Sequence, residues 1–372
     1  MGKLIRIFAA AAVATVLASC ASVGGGGGGT ATNGGVGPTA QTPGVPNAVW
    51  PIKTREHVDL WLHGFALLQE DTTFVPFFKR GYTTDMIVLK NRANVVTQLD
   101  ANRDRLRARL AANPQLINAQ FVPLSFSTWA EMSAAIDVFM RAGGDPRAAS
   151  SQQQAAAIAY LAAYFPSAAD RDWLRLFTQS LTDESNKFYH SYWGEQQRER
   201  SNVLDLVDTL WQRRYRPRMQ RFLNNTQQAQ GDVLLSIPLD GEGRSLTNGK
   251  QANIITVTFP DRPSDAVQAI YVIAHEAVSG IANTAVIDNI TPEQRRTGVG
   301  DRYQSSAAVR GGALLLQRTS PEILDGYMRY YLSSVNRAPG ANVQATFIAT
   351  FALPDAIRDA LTRQLDVVLG GI

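Results

Sequence analysis

The residues best placed to do chemistry are His275 and Glu276, adjacent in an apolar run, with Ser279 four positions after the histidine. On a helix, positions i and i+4 share a face about 5–6 Å apart, so His275 and the residue at 279 can reach toward one point. Two imidazoles at that spacing ligate one Zn²⁺, and the carboxylate between them activates a metal-bound water. In that scheme His275 is a metal ligand and Glu276 the general base. Ser279 stands where the second ligand belongs, and a neutral hydroxyl is a poor partner for zinc, which takes Cys, His, Asp or Glu. The blander alternative makes His275 an ordinary packed histidine. Upstream, Asp183, Lys187 and His190 fall at i, i+4 and i+7, beside Glu184. A carboxylate next to a histidine can orient it as a base or support a metal site. Glu184 and His190 are therefore candidates to cross toward His275, as supporting or binding groups.

The elements that must position these residues run from Gly231 to Asn289. Val233–Ile237 and Ile254–Phe259 read as short strands, joined through turns at Asp240–Arg244 and Asn248-Gly249. This is the pattern of a small antiparallel hairpin. Its Gly241-Glu242-Gly243-Arg244 segment could cradle an anion, although no helix N-terminus follows it. Pro260 and Pro263 end the second strand, and Ser264 is placed to cap the helix that carries His275. This order, with His275-Glu276-Ala277-Val278-Ser279 on the helix, resembles the core of zincin-type metallopeptidases. The resemblance implies a zincin-like α+β fold, with a strand edge that holds an extended peptide. In that family's gluzincin branch the third ligand is a Glu on a downstream helix. The helix from Tyr303 has no acid, which leaves Asp288, Glu293, Asp301, Glu322 and Asp325 as the nearest carboxylates. The departure at Ser279 implies a degenerate, non-catalytic domain that binds or scaffolds, with no cofactor expected. Zinc enters only under the alternative of a peptidase or hydrolase using His275 and Glu276. A further alternative, from another class, is a helical lipoprotein that binds a small molecule or polymer on the aromatic face of Phe188–Trp193.

Residues 1–19 have the form of an export leader: Lys3 and Arg6 precede an apolar run from Ile7 to Leu17 that is too short to anchor a bilayer. Leu17-Ala18-Ser19-Cys20 resembles the bacterial lipoprotein box. That resemblance implies an acylated Cys20, with the lipid bilayer as partner. Ala21 in place of Asp further implies the outer membrane of the cell envelope. Cys20 is the only cysteine, so the rest of the chain has no disulfide, no Cys nucleophile and no Cys-based metal site. The unbroken glycines 24–29 and the prolines up to Pro46 read as a tether of about 27 residues with a reach of roughly 30 Å. Losing Lys3 and Arg6 with the leader takes Lys+Arg from 36 to 34 against 32 acidic residues. That near-neutral balance does not favour a nucleic-acid partner. The Arg213–Arg221 cluster reads instead as a solvated face or a contact to anionic lipid or polymer. An envelope protein or peptide is the other partner expected.

From residue 48 onward the pattern is one helical domain, giving a mainly α class with a small antiparallel β element. Val58, Trp61, Leu62, Phe65 and Leu68 form one helix stripe, and His57 and His63 on that helix read as structural. Met86–Leu110 reads as a single long helix, and residues 202–224 as another. Gly311-Gly312 leaves room for the His275 helix to approach closely.

Overall fold

The computed structural model describes residues 49–69, 73–247 and 249–370. The first helices are α1 (Glu56–Leu68), α2 (Tyr82–Arg92), α3 (Gln98–Ala112), α4 (Trp129–Arg141) and α5 (Gln152–Tyr164). They are followed by α6 (Ala168–Glu184), α7 (His190–Glu199), α8 (Ser201–Leu210) and α9 (Arg216–Asn225). After the sheet come α10 (Val267–Ile287), α11 (Pro292–Arg296), α12 (Val299–Thr319), α13 (Leu324–Ser334), α14 (Val343–Thr350) and α15 (Asp355–Leu369). The strands are β1 (Ile52–Lys53), β2 (Gly231–Ser236), β3 (Arg244–Leu246) and β4 (Asn253–Thr258). The mainly helical class with a small β element is what the structure has.

The sheet is mixed, in the order β1-β2-β4-β3. β2 and β4, expected as the arms of a hairpin, pair in parallel from Gly231↔Asn253 to Ser236↔Thr258. Only β3 and β4 run antiparallel. After Ser236 the chain leaves the sheet: the Pro238 carbonyl accepts from the Lys79 N–H at 2.9 Å, and Leu239 bridges to Phe78. The chain comes back as the edge strand β3 before entering β4, so the connection is a crossover and not a tight turn. Lone residues such as Leu239 carry no periodicity that would reveal that excursion.

Other boundaries also moved. The single helix expected over Met86–Leu110 is two helices, because Asn94 adopts φ 53° and Thr97 opens α3 with a capping box to Asp100. One π-helical turn, Ser185–Tyr189, separates α6 from α7, and another, Trp211–Tyr215, separates α8 from α9. Such turns put one extra residue into the ladder and occur often at functional sites. Ser264 does not cap α10, which is entered through a 3-10 turn at Pro263–Asp265.

α10 is the core helix. The stretch Pro263–Ile287 is long and apolar enough to cross a membrane, yet 67% of its most apolar window is buried inside the protein. α12 crosses it at the glycine pair. A β-carbon on Gly311 would sit 3.1 Å from Val278, and one on Gly312 would sit 3.3 Å from the His275 amide nitrogen and overlap the Tyr327 hydroxyl. That hydroxyl donates to the Val309 carbonyl at 2.8 Å, so it cannot swing aside freely. Gly312→Ala is therefore expected to lower stability by about 1–3 kcal/mol in urea unfolding. A neutral or stabilising result would show that α12 can back away from α10.

Candidate functional site

α10 places His275 and Glu276 in the interior, 1% and 6% exposed. The His275 Nδ1 lies 3.1 Å from Glu276 Oε1, and the same oxygen accepts the Gly243 N–H at 2.9 Å. Gly243 has to lack a side chain: a β-carbon there would stand 2.7 Å from Glu276 Cγ. The glycine-flanked segment that could in principle cradle an anion gives one N–H to the protein's own Glu276. The imidazole stacks on Tyr331 at 5.5 Å and 22°. Its Nε2 is buried without a hydrogen-bond partner among the described residues.

Two further charges surround the pair. Glu242 accepts from the Ser305 hydroxyl at 2.8 Å. The Arg244 guanidinium lies 3.3 Å from the Phe77 ring centroid and donates to the Gly243 carbonyl at 2.8 Å and, through Nε, to Gln120 at 2.9 Å. Burial pulls the His275 pKa down, but the Glu276 hydrogen bond and the charges of Glu242 and Glu276 outweigh it, leaving the imidazole above its ordinary value. Burial pushes Glu276 up, and His275, the Gly243 N–H and Arg244 more than reverse that, holding it below the usual carboxylate range. Glu242 is raised by burial, with His275 opposing. The arrangement stores an ion pair. It makes Glu276 a weaker base than a solvated glutamate.

An orphaned buried nitrogen such as His275 Nε2 is what a metal would take, so the donor set decides whether zinc fits. Ser279 is half-buried and supplies no zinc donor. Glu276 is already held by two partners, and no group of three His, Cys, Asp or Glu suited to an ion occurs among the described residues. The described residues do not make up a zinc set. The downstream acids go elsewhere: Glu293 pairs with Arg296, Glu322 with Arg214 and Arg218, and Asp325 with Arg329.

Glu184 and His190 do not meet His275. His190 is exposed on α7 and bonds Glu56 at 2.8 Å. Glu184, fully buried at the end of α6, forms a second ionic cluster with Lys90 at 2.8 Å, His63 at 3.1 Å and the Thr97 hydroxyl. Lys90 also pairs with Asp100 at 2.7 Å, and His63 reaches the Tyr82 hydroxyl at 3.0 Å. Tyr189, on the π-helical turn, lays its ring 4.4 Å from that of His63. One turn before His63, the buried Asp59 accepts the Trp193 indole N–H at 2.9 Å. Burial lifts the Asp59 carboxyl to about 7, against the pull of Ser236, Trp193 and the Ile237 N–H. Sequence reasoning missed Asp59, Lys90 and Glu242 in these roles. α1 is buried on every face from His57 to Leu68, beyond the one apolar stripe its sequence shows, and Asp59 is buried with it.

In comparisons with protein-family models, curated proteins and solved structures, nothing matches this chain. Fold and site together define a mainly helical protein around a small mixed sheet, with two buried ionic clusters. Cys20 lies outside the described residues.

Proposed function

We propose that the protein is an envelope lipoprotein, held to a bilayer through acylated Cys20, whose domain is a degenerate zincin-like module that binds or scaffolds. The observation that carries the non-catalytic reading is the Glu276 carboxylate, buried and spent on the Gly243 N–H and His275. A general base must reach a water and hold a pKa suited to taking its proton, and Glu276 is arranged for neither. The orphaned His275 Nε2 favours one second reading, a zinc hydrolase that completes its ligand set with groups still unidentified.

The test combines two measurements on protein purified from its membrane fraction without tags. The mass of the N-terminal peptide is expected to show acyl chains on Cys20. Metal analysis is expected to find far less than one zinc per chain, with any background hydrolysis unchanged in Glu276→Gln. About one zinc per chain, together with hydrolysis abolished by Glu276→Gln while the metal stays bound, overturns the binding reading. Zinc binding gained on Ser279→His would support the zincin-like geometry.

A further inference from the structure

One surface combines positive charge with an exposed valine, beside the point where the described chain begins. Arg213 lies on the π-helical turn before α9, Arg221 within α9 and Arg363 on α15; all three are exposed and have no acidic partner among the described residues. Glu322 is taken by Arg214 and Arg218, and Asp366 on α15 by Arg318. The ends of the two helices are joined, because Asn225 donates to the Val368 carbonyl at 2.6 Å and the Arg221 guanidinium lies against Gly370. Beside them runs a shallow groove of about 310 Å³, lined by Ile281, Arg363, Gln364, Val367 and Val368. Val367 is 59% exposed.

The Trp50 carbonyl accepts from Trp211 Nε1 and Gln212 Nε2, both at 2.9 Å, so the described chain begins against the turn that carries Arg213. The start of the described chain is tied to both ends of the α9 segment, since Trp50 Nε1 also donates to the Gln228 carbonyl at 3.0 Å. Resting on the reading of Cys20 as the lipid anchor, we propose that this surface is the face the protein lays against an anionic bilayer.

The chemistry favours lipid over a protein partner. A stable protein interface buries on the order of 1,200 Å² or more, and one shallow groove with a single well-exposed valine offers little of that. An anionic surface needs less. Each arginine near it is worth about a fivefold gain in partitioning, its stem lying along the apolar boundary while the guanidinium meets phosphate. Three arginines give roughly a hundredfold, too little to hold a free protein but enough to orient one already anchored, because the tether supplies an effective concentration in the millimolar range.

The test uses the full chain with Val367 replaced by a photo-crosslinking benzophenone residue, on phosphatidylglycerol-containing vesicles and on pure phosphatidylcholine vesicles. A lipid adduct at position 367 is expected on the anionic vesicles. It should fall by roughly a hundredfold when Arg213, Arg221 and Arg363 are all changed to Gln, with the circular dichroism spectrum unchanged. Equal adducts on both vesicles, an adduct indifferent to the arginines, or crosslinks only to protein or to a second copy would overturn the proposal. The acyl mass on Cys20 is read separately, in the same samples. Arginine-dependent lipid adducts without acylation would sink the anchor and show the face binding lipid more tightly than three arginines account for, whereas acylation without adducts would sink the face and uphold the anchor.

Discussion

Replacing Lys90 by alanine is expected to lower the unfolding free energy by about 3–5 kcal/mol. Lys90 and Glu184 are 3% and 0% exposed, and the ammonium meets both carboxylate oxygens, at 3.0 and 2.8 Å. Removing the lysine leaves a buried carboxylate with only His63 and Thr97 beside it, which is the costly way to break a buried pair. The pH profile carries the same information. Burial pushes Glu184 up, but His63 and Lys90 bring it down to about 2 from 4.5. A depressed carboxylate contributes stability that is present above its unfolded pKa and lost as pH falls through the folded one. Wild type should therefore lose on the order of 3 kcal/mol between about pH 4.5 and pH 2 through this group, and Lys90→Ala should lose much less there. The double change Lys90→Met with Glu184→Gln removes both charges and is expected to recover most of the loss. Urea midpoints for wild type and the two variants decide the matter. A Lys90→Ala protein within about 0.5 kcal/mol of wild type would mean that water reaches Glu184 and the pair is not buried in solution.

Asp59→Asn is expected to act in the opposite direction. Burial raises this carboxyl from 3.8 to about 7. A raised carboxyl makes the native state bind more protons than the unfolded one, so stability falls as pH rises from about 3.8 through 7. The full loss is on the order of 4 kcal/mol. Asparagine imitates the neutral acid, and its amide oxygen can still accept the Trp193 indole N–H that now meets Asp59 at 2.9 Å. The variant should match wild type near pH 4 and exceed it by roughly 2–4 kcal/mol at pH 8. Thermal unfolding at the two pH values reads this directly. If the variant is destabilised at pH 8, the ionised carboxylate is worth more to the fold than its burial costs, and the neighbouring Arg200 is the charge to examine next.

The two groups together also place a stability maximum between their windows. Acid removes the contribution of Glu184, and neutral pH sets Asp59 against the fold. Asp59 is tied to the Glu184 cluster through α1, since Asp59 and His63 lie one turn apart on it. The π-helical turn Ser185–Tyr189 lies between Glu184 and Trp193, the residues that meet His63 and Asp59.

Read by itself, the chain determined its helical class, the apolar stripe of α1, the strand–strand–helix order from 231 to 289, and the closeness allowed by Gly311-Gly312. Those features are local: a stripe depends on the 3.6-residue period, and a glycine pair on the missing β-carbons. The leader and lipobox resemblance belong to the same class of signal, although they concern residues outside those the structure describes. Tertiary structure alone decided which charges meet. Gly243 and Glu276 are 33 residues apart and come together because β3 pairs with β4, which packs on α10. Lys90 and Glu184 are 94 positions apart, and His63 and Glu184 are 121. No spacing rule reaches across such distances, because each pairing depends on which elements pack together, and packing is settled by the summed burial of many side chains. The parallel pairing of β2 and β4 escaped the sequence for the same reason: two short strands with turns between them fit a hairpin equally well until the excursion to Phe78 and Lys79 is known.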